Sequence, residues 1–287
     1  MSDSSIPRAS SVQCLGAQGL HRMAYVEWGE ADNPRVLVCA HGLTRTGRDF
    51  DELARSLAPS FRVVCPDFVG RGRSDWLRDK TGYALSQYMA DAVTLIARLG
   101  VREVHWVGTS MGGLVGMLLA GLAHTPMSSL VLNDIGPEIE AAAISRLAGY
   151  VTEMPVFDTI DAAEAWMRSA CSMWGDMEDA HWRHLATHSL RRDDDAWALH
   201  YDPAIGAAFA RACDGEPIRM WDAYEAVRCP TLAIRGAQSD VLSRETFARM
   251  AQCGPHARTA EVPDVGHAPM FMQNAQIALV REFLADA

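Results

Sequence analysis

The sequence predicts an α/β fold in which helices cover both faces of a mostly parallel sheet. Four short apolar runs have the pattern of strands buried on both sides, and segments with helical spacing of apolar residues separate them. In chain order, the predicted strands and helices cover 36–40, 49–57, 62–66, 85–99, 104–107 and 130–133. Gly100 follows the second helix as a C-terminal cap would. Regular alternation of strand and helix is typical of a doubly wound sheet.

This alternation is interrupted in the middle of the chain. It stops after 134–137 and resumes with a strand at 230–236, a helix near 244–252, a strand near 259–262 and a closing helix. The segment between reads as several helices, because Asp161 and Glu164 have the spacing of a capping box. We therefore predict a core formed by 1–136 and 226–287, with a helical cap at 137–225 inserted after the sixth strand.

Composition and charge limit the function classes. The 287 residues include 26 Lys and Arg against 36 Asp and Glu, and the formal charge of -10 disfavours nucleic acid and anionic membranes as partners. No apolar stretch reaches the roughly 18 residues of a membrane span, and the Ser-rich start has no secretory apolar block. The seven cysteines are scattered without C-x-x-C spacing. We expect a cytoplasmic monomer or homodimer that acts on a small molecule.

The most informative motif is Gly108-Thr109-Ser110-Met111-Gly112, which lies between a predicted strand and a predicted helix. A serine on such a corner has its hydroxyl pushed out at the end of the sheet, and small flanking residues let the backbone approach itself closely. Ser110 is therefore the candidate nucleophile. Because a serine hydroxyl is a poor nucleophile by itself, it requires a base and a group that orients the base.

His267 is the candidate base, since it lies on the loop after the last predicted strand. Asp240, which follows the strand at 230–236, is the favoured acid. A carboxylate there can accept a hydrogen bond from the imidazole and stabilise its charged form. Asp134 is the alternative acid because it ends the preceding strand, and Asp264 is a weaker candidate.

The oxyanion formed by serine attack needs two N–H donors. Met111 N–H, at the start of a helix, is one candidate. Leu43 N–H, in the loop after the first long parallel strand, is the other, with Thr44 as second choice. His41 in the same loop reads as a residue that braces the loop.

These motifs together resemble the α/β-hydrolase fold superfamily over nearly the whole chain. The resemblance rests on His41-Gly42-Leu43, the pentapeptide around Ser110, the Arg-Gly-x-x-Ser-Asp run at 235–240, and Gly266-His267. It implies an eight-stranded, mostly parallel sheet with a lid and a serine-nucleophile, esterase-like activity. The Gly-rich turn at 67–74 resembles a structural loop of these proteins.

Two further features concern ligands. Trp166, Trp174 and Trp197 of the predicted cap are candidates for lining a substrate pocket, and packing within the cap is the alternative. Three histidines share one face of a predicted helix and could ligate a metal, but no cysteine or firmly placed carboxylate completes the set; they are His181, His184 and His188. We expect no metal and no cofactor.

The sequence therefore predicts a cofactor-independent serine hydrolase that acts on a small carboxylic ester through an acyl-enzyme. Cleavage of a carbon-carbon bond beside a ketone, lactone opening and peracid formation are alternatives that use the same residues. A small-molecule receptor on a hydrolase scaffold is the non-enzymatic alternative.

Overall fold

The computed structural model describes residues 6–152, 154–213 and 216–287. The first half of the chain begins with two strands that the apolar runs do not predict and then alternates strands and helices as expected from the sequence. Its elements are β1 (Arg8–Gly16), β2 (Gly19–Trp28), β3 (Val36–Ala40), α1 (Asp51–Leu57), β4 (Arg62–Pro66), α2 (Leu85–Leu99), β5 (Val104–Thr109), α3 (Met111–Ala120) and β6 (Met127–Asn133). Gly100 has a left-handed backbone (φ 71°) and ends α2 as predicted.

Short strands and helices follow β6 before the chain returns to the main sheet. They are β7 (Glu138–Ile139), α4 (Ala141–Thr152), β8 (Val156–Phe157), α5 (Ile160–Ala170), α6 (Asp179–Ser189), β9 (Leu190–Asp193), β10 (Ala196–Leu199), α7 (Ala204–Cys213), β11 (Ile218–Arg219) and α8 (Trp221–Ala226). The chain then ends with β12 (Thr231–Gly236), α9 (Arg244–Met250), β13 (Arg258–Val262) and α10 (Asn274–Asp286).

The main sheet has eight strands among the described residues, in the order β1-β2-β4-β3-β5-β6-β12-β13. The pairs β1·β2 and β2·β4 are antiparallel, and the strands from β4 to β13 run parallel to one another. The predicted eight-stranded, mostly parallel sheet is thereby confirmed. Because parallel strands have their carboxyl ends at one edge, the loops after β3, β5, β6, β12 and β13 meet there.

Two apolar layers hold the sheet between helices. On one face, residues of α2 and α3, including Tyr88, Leu95 and Met117, pack against the sheet. On the other face, residues of α1 and α10, including Leu53 and Phe283, form the second layer. Burial on both faces explains why β3, β5 and β6 read as continuous apolar runs rather than as alternating ones.

The segment between β6 and β12 packs over the carboxyl edge of the sheet. Its first and last strands, β7 and β11, pair with each other at Ile139 and Ile218, so the chain leaves and re-enters the core at one place. A small apolar cluster around Trp174, Trp182 and Leu185 packs this segment against Met270 and Met272, which follow β13. The boundaries predicted for the core and the cap remain a prediction. Among the described residues, no helix combines the length and apolar character that crossing a bilayer would demand.

Candidate active site

Ser110 lies on a tight corner between β5 and α3. Its backbone has φ 51° and ψ -118°, a conformation that non-glycine residues rarely adopt. A Cβ atom added at Gly108 would lie 2.3 Å from the Gly112 carbonyl oxygen, and one at Gly112 would lie 2.1 Å from the Ala40 oxygen. Only glycine therefore allows the corner to close, as the sequence predicts.

A hydrogen-bonded chain joins Ser110, His267 and Asp134. His267 Nε2 lies 3.0 Å from Ser110 Oγ, and His267 Nδ1 lies 2.8 Å from Asp134 Oδ2. Because a carboxylate only accepts, Nδ1 carries the proton and Nε2 is free to accept the serine proton. This tautomer is the one that a general base requires.

The structure corrects the predicted acid, since Asp134 occupies the place expected for Asp240. Asp240 is 40% exposed and pairs with Arg146 of α4 (Arg146 Nη2 to Asp240 Oδ1, 2.7 Å). Asp134 is fully buried and also accepts hydrogen bonds from Gly236 N–H (2.8 Å) and the Ser239 hydroxyl (2.6 Å).

Two features of the fold explain this choice. β6 lies between β5 and β12, so Asp134, which directly follows β6, is next to the serine corner. The buried Arg235 of β12 donates to the carbonyls of Ser239 and Leu242 in the loop that follows, and the Ser239 hydroxyl of this loop donates to Asp134. Asp240, the next residue, lies on the solvent side.

The two proposed oxyanion donors belong to segments that border Ser110. Leu43 and Met111 both line the cavity into which the serine opens. A Cβ atom added at Gly42 would lie 3.7 Å from Ser110 Cβ, which places the Leu43 loop beside the nucleophile. The structure therefore brings both segments to the site, and the role of their amides remains a prediction.

His41 braces this loop, as the sequence suggests. Its Nδ1 lies 2.7 Å from the Gly42 oxygen, and its Nε2 accepts a hydrogen bond from Phe68 N–H at 2.9 Å. Complete burial lowers the pKa of His41 to about 3, with the nearby positive charge of Arg71 acting in the same direction. The imidazole is neutral, and its single proton points at the carbonyl.

Arg71 is a residue of the site that the sequence patterns do not predict, and it belongs to the Gly-rich turn at 67–74. Its side chain is fully buried and donates to the Leu43 carbonyl at 2.7 Å, while Nη2 lies 3.5 Å from Met111 Sδ. The guanidinium lies 4.7 Å from the centre of the Tyr88 ring, and no carboxylate of the described residues forms an ion pair with it. A buried cation thus contacts both residues whose amides are the proposed oxyanion donors. A lone arginine between two glycines gives no sequence signal for this contact.

A cavity of about 300 Å³ opens over Ser110 and His267. Most of its wall is apolar and comes from the sheet edge and from the segment between β6 and β12, including Leu114, Ile144 and Phe209. Trp174 lines this cavity, whereas Trp166 and Trp197 do not. Trp166 packs on Phe157, with ring centres 5.6 Å apart, and Trp197 of β10 lies beside Arg192 of the paired strand β9.

The described residues include two groups with metal-ligating atoms close together. Asp51 lies near His184 and His188, but both oxygens of Asp51 already accept hydrogen bonds from Arg48. His181, the third residue of the predicted set, is not part of this group. In the second group, Asp91 accepts hydrogen bonds from His21 and Gln87 beside Cys14. Neither group adjoins the cavity over Ser110.

Comparison with known proteins decides the family. The model of the alpha/beta hydrolase family matches residues 37–280. This chain belongs to that family. It is 48% identical to the 3-hydroxybutyrate-oligomer hydrolase of Cupriavidus necator, over 99% of this chain and 100% of that protein. It is 26% identical to the 2-(acetamidomethylene)succinate hydrolase of Mesorhizobium japonicum over 81% of each protein.

Solved structures agree with the fold. An alpha/beta hydrolase from Novosphingobium aromaticivorans superimposes with a TM-score of 0.85 at 31% identity, covering 98% of this chain and 100% of that one. The family and the relatives make this protein an enzyme, a hydrolase, as predicted, and they speak against the receptor alternative.

Proposed function

We propose that this hydrolase cleaves carboxylic esters of short 3-hydroxyalkanoate oligomers, with Ser110 as nucleophile, His267 as base and Asp134 as the acid that orients the base. The observation that carries the proposal is the hydrogen-bonded chain from Ser110 Oγ through His267 to Asp134. The Ser110 end of this chain opens into the apolar cavity. Such a chain performs acyl transfer in many unrelated folds.

The first half of the reaction forms an acyl-enzyme. Ser110 Oγ attacks the ester carbonyl while its proton passes to His267 Nε2. The buried carboxylate of Asp134 stabilises the resulting imidazolium through the 2.8 Å contact at Nδ1. The N–H groups of Leu43 and Met111 bind the oxyanion, and each such donor contributes roughly 3 kcal/mol to the transition state. His267 then donates this proton to the departing alkoxide oxygen, which leaves as a free hydroxyl group.

The second half releases the acid. A water molecule loses its proton to His267 and attacks the acyl carbonyl, and collapse of the second tetrahedral intermediate returns the proton to Ser110. Each step uses the same donors and the same base.

The substrate class rests on the relative and on the cavity. The Cupriavidus necator protein, similar over its whole length, is a 3-hydroxybutyrate-oligomer hydrolase. A cavity of about 300 Å³ lies at the lower end of the size range of small-molecule sites. Its apolar wall suits an aliphatic polyester of few units, because the methyl and methylene groups of such a chain form no hydrogen bonds and are favourably removed from water.

Incubation of the purified protein with linear 3-hydroxybutyrate dimer and trimer, followed by mass spectrometry of the products, tests this proposal. We expect monomer release by the parent and none by Ser110→Ala. We also expect an adduct of one hydroxybutyryl group on Ser110 when the reaction with the dimer is quenched early. Cleavage of p-nitrophenyl acetate, a lactone or a ring-cleavage diketone without cleavage of the oligomers would contradict the proposed substrate class.

A further inference from the structure

The charged residues of the cavity wall are few. Among the described residues that line the cavity, the permanently charged side chains are Arg45, Asp49 and Arg146. The wall therefore carries two cations and one anion within a mostly apolar surface. An excess positive charge in an apolar cavity favours a substrate that carries one negative charge.

Arg45 is not the available cation, because Asp49 already engages it. Two hydrogen bonds of 2.8 and 2.7 Å join the guanidinium to both oxygens of Asp49. The side chains of Arg45 and Asp49 are only 12% and 9% exposed. Exchange of this partner for a substrate would leave the Asp49 carboxylate buried without its cation, which is strongly unfavourable.

Arg146 is in a different situation. It belongs to α4, whose residues Ile144, Leu147 and Val151 also line the cavity. Its partner Asp240 lies outside the lining, although the adjacent Val241 is part of it. The Arg146–Asp240 pair is therefore at the rim, with one cation facing the cavity and its anion behind.

Arg146 can exchange Asp240 for another carboxylate at little cost in free energy. Arg146 Nη2 lies 2.7 Å from Asp240 Oδ1, but the two side chains are 43% and 40% exposed. Exposed ion pairs of this kind contribute little to stability because water screens them and their side chains lose mobility. A planar guanidinium also matches the two oxygens of a carboxylate from a ligand.

We infer that Arg146 is the binding group for the free terminal carboxylate of the substrate. The inference rests on the proposed ester hydrolysis and adds the orientation of the substrate to it. In a linear dimer the carboxylate belongs to the unit whose hydroxyl group is released. Arg146 therefore holds the leaving unit, while the unit with the free hydroxyl group is transferred to Ser110. The enzyme removes units from the carboxylate end.

The test compares two substrates that differ only in charge. They are the 3-hydroxybutyrate dimer as the free acid and the same dimer with its terminal carboxylate converted to a primary amide, which introduces no second ester. For Arg146→Gln we expect KM for the free acid to rise about tenfold, because one partly screened charge-assisted contact is lost. KM for the amide should stay unchanged. Arg146→Lys restores part of the difference. In the parent, added salt raises KM for the free acid only.

Asp240→Asn separates recognition from a structural role of the ion pair. Loss of the competing carboxylate frees Arg146, so we expect KM for the free acid to fall or stay unchanged. If the pair only held α4 in place, Asp240→Asn and Arg146→Gln would break the same contact and weaken both substrates alike. That result would overturn the inference.

Arg183→Gln is the matched control. Arg183 is 50% exposed, pairs with Asp161 on α5 and does not line the cavity, so this variant should behave as the parent does. Equal KM values of Arg146→Gln and the parent for the free acid would also refute the role of Arg146. Failure of the parent to cleave either dimer would instead refute the proposed function, so the two failures are distinguishable.

Discussion

Asp134→Asn is the substitution that most directly tests the assignment of the acid. Asparagine has nearly the same shape and tolerates the left-handed backbone at this position, where φ is 54°. One oxygen must become an NH₂ group. If the remaining oxygen keeps the bond to Gly236 N–H, the NH₂ group faces His267 Nδ1, which then has to accept. The proton of the imidazole moves to Nε2, which can no longer accept the serine proton.

The expected loss follows from this change of tautomer. The equivalent substitution in a serine protease lowers kcat by roughly 10⁴-fold, which corresponds to about 5 kcal/mol of transition-state stabilisation. Asp134 is fully buried here and accepts three hydrogen bonds, so no solvent can replace its carboxylate. We therefore expect a decrease in kcat of the same order with little change in KM.

The assay measures initial rates on an uncharged ester such as p-nitrophenyl acetate, with circular dichroism to verify the fold. An uncharged substrate avoids any effect of the Arg146–Asp240 pair. Asp240→Asn, the control, should retain kcat within about twofold because its carboxylate makes no contact with His267. A rate of Asp134→Asn within tenfold of the parent, or a collapse of kcat in Asp240→Asn, would refute the assignment.

Three further predictions concern residues around the site. Arg71→Gln should lower kcat by about ten- to a hundredfold at nearly constant KM, because the cation beneath the oxyanion loop is lost; Arg71→Lys should recover part of the rate. For His41, the folded pKa of about 3 lies below the usual 6.5, so its contribution to stability is lost as pH falls below 6.5. The stability gap between the parent and His41→Gln in urea should shrink by about 2 kcal/mol from pH 7 to pH 5. Gly112→Ala should destabilise the fold by about 1–3 kcal/mol in thermal unfolding, because the added Cβ would lie 2.1 Å from a backbone oxygen of β3.

Two of these predictions have a matched control variant, and the third has an outcome that would contradict it. Arg62→Gln removes a mostly buried arginine at the opposite end of the sheet and should leave kcat unchanged. An equal loss of kcat in both arginine variants would mean that only stability is affected. A stability gap for His41→Gln that is constant with pH would contradict the neutral imidazole. Gly149→Ala, in helix α4 with no atom within 4 Å of the added Cβ, should raise stability by about 0.4–1 kcal/mol.

Much of the fold could be predicted because its signals are local. Strands buried on both faces require continuous apolar runs, and the predicted runs at 36–40 and 62–66 coincide with β3 and β4. The corner at Ser110 could also be predicted, since both glycines that its close backbone contacts require lie in the same pentapeptide as the serine. The same holds for Gly100, which ends α2 with a positive φ.

The sequence by itself thus determined the order of the elements from β3 to β6 and from β12 to α10, the strand-to-helix corner and the candidate nucleophile and base. Only the tertiary structure decided which carboxylate contacts His267, because Asp134 and Asp240 both follow strands at the same edge of the sheet. Which of the two side chains faces His267 depends on how Arg235 and Ser239 hold the loop after β12. It also decided that Arg71 lies under the oxyanion loop. These contacts join residues far apart in the chain, and a charge or carboxylate carries no local signal of the partner that packing brings to it.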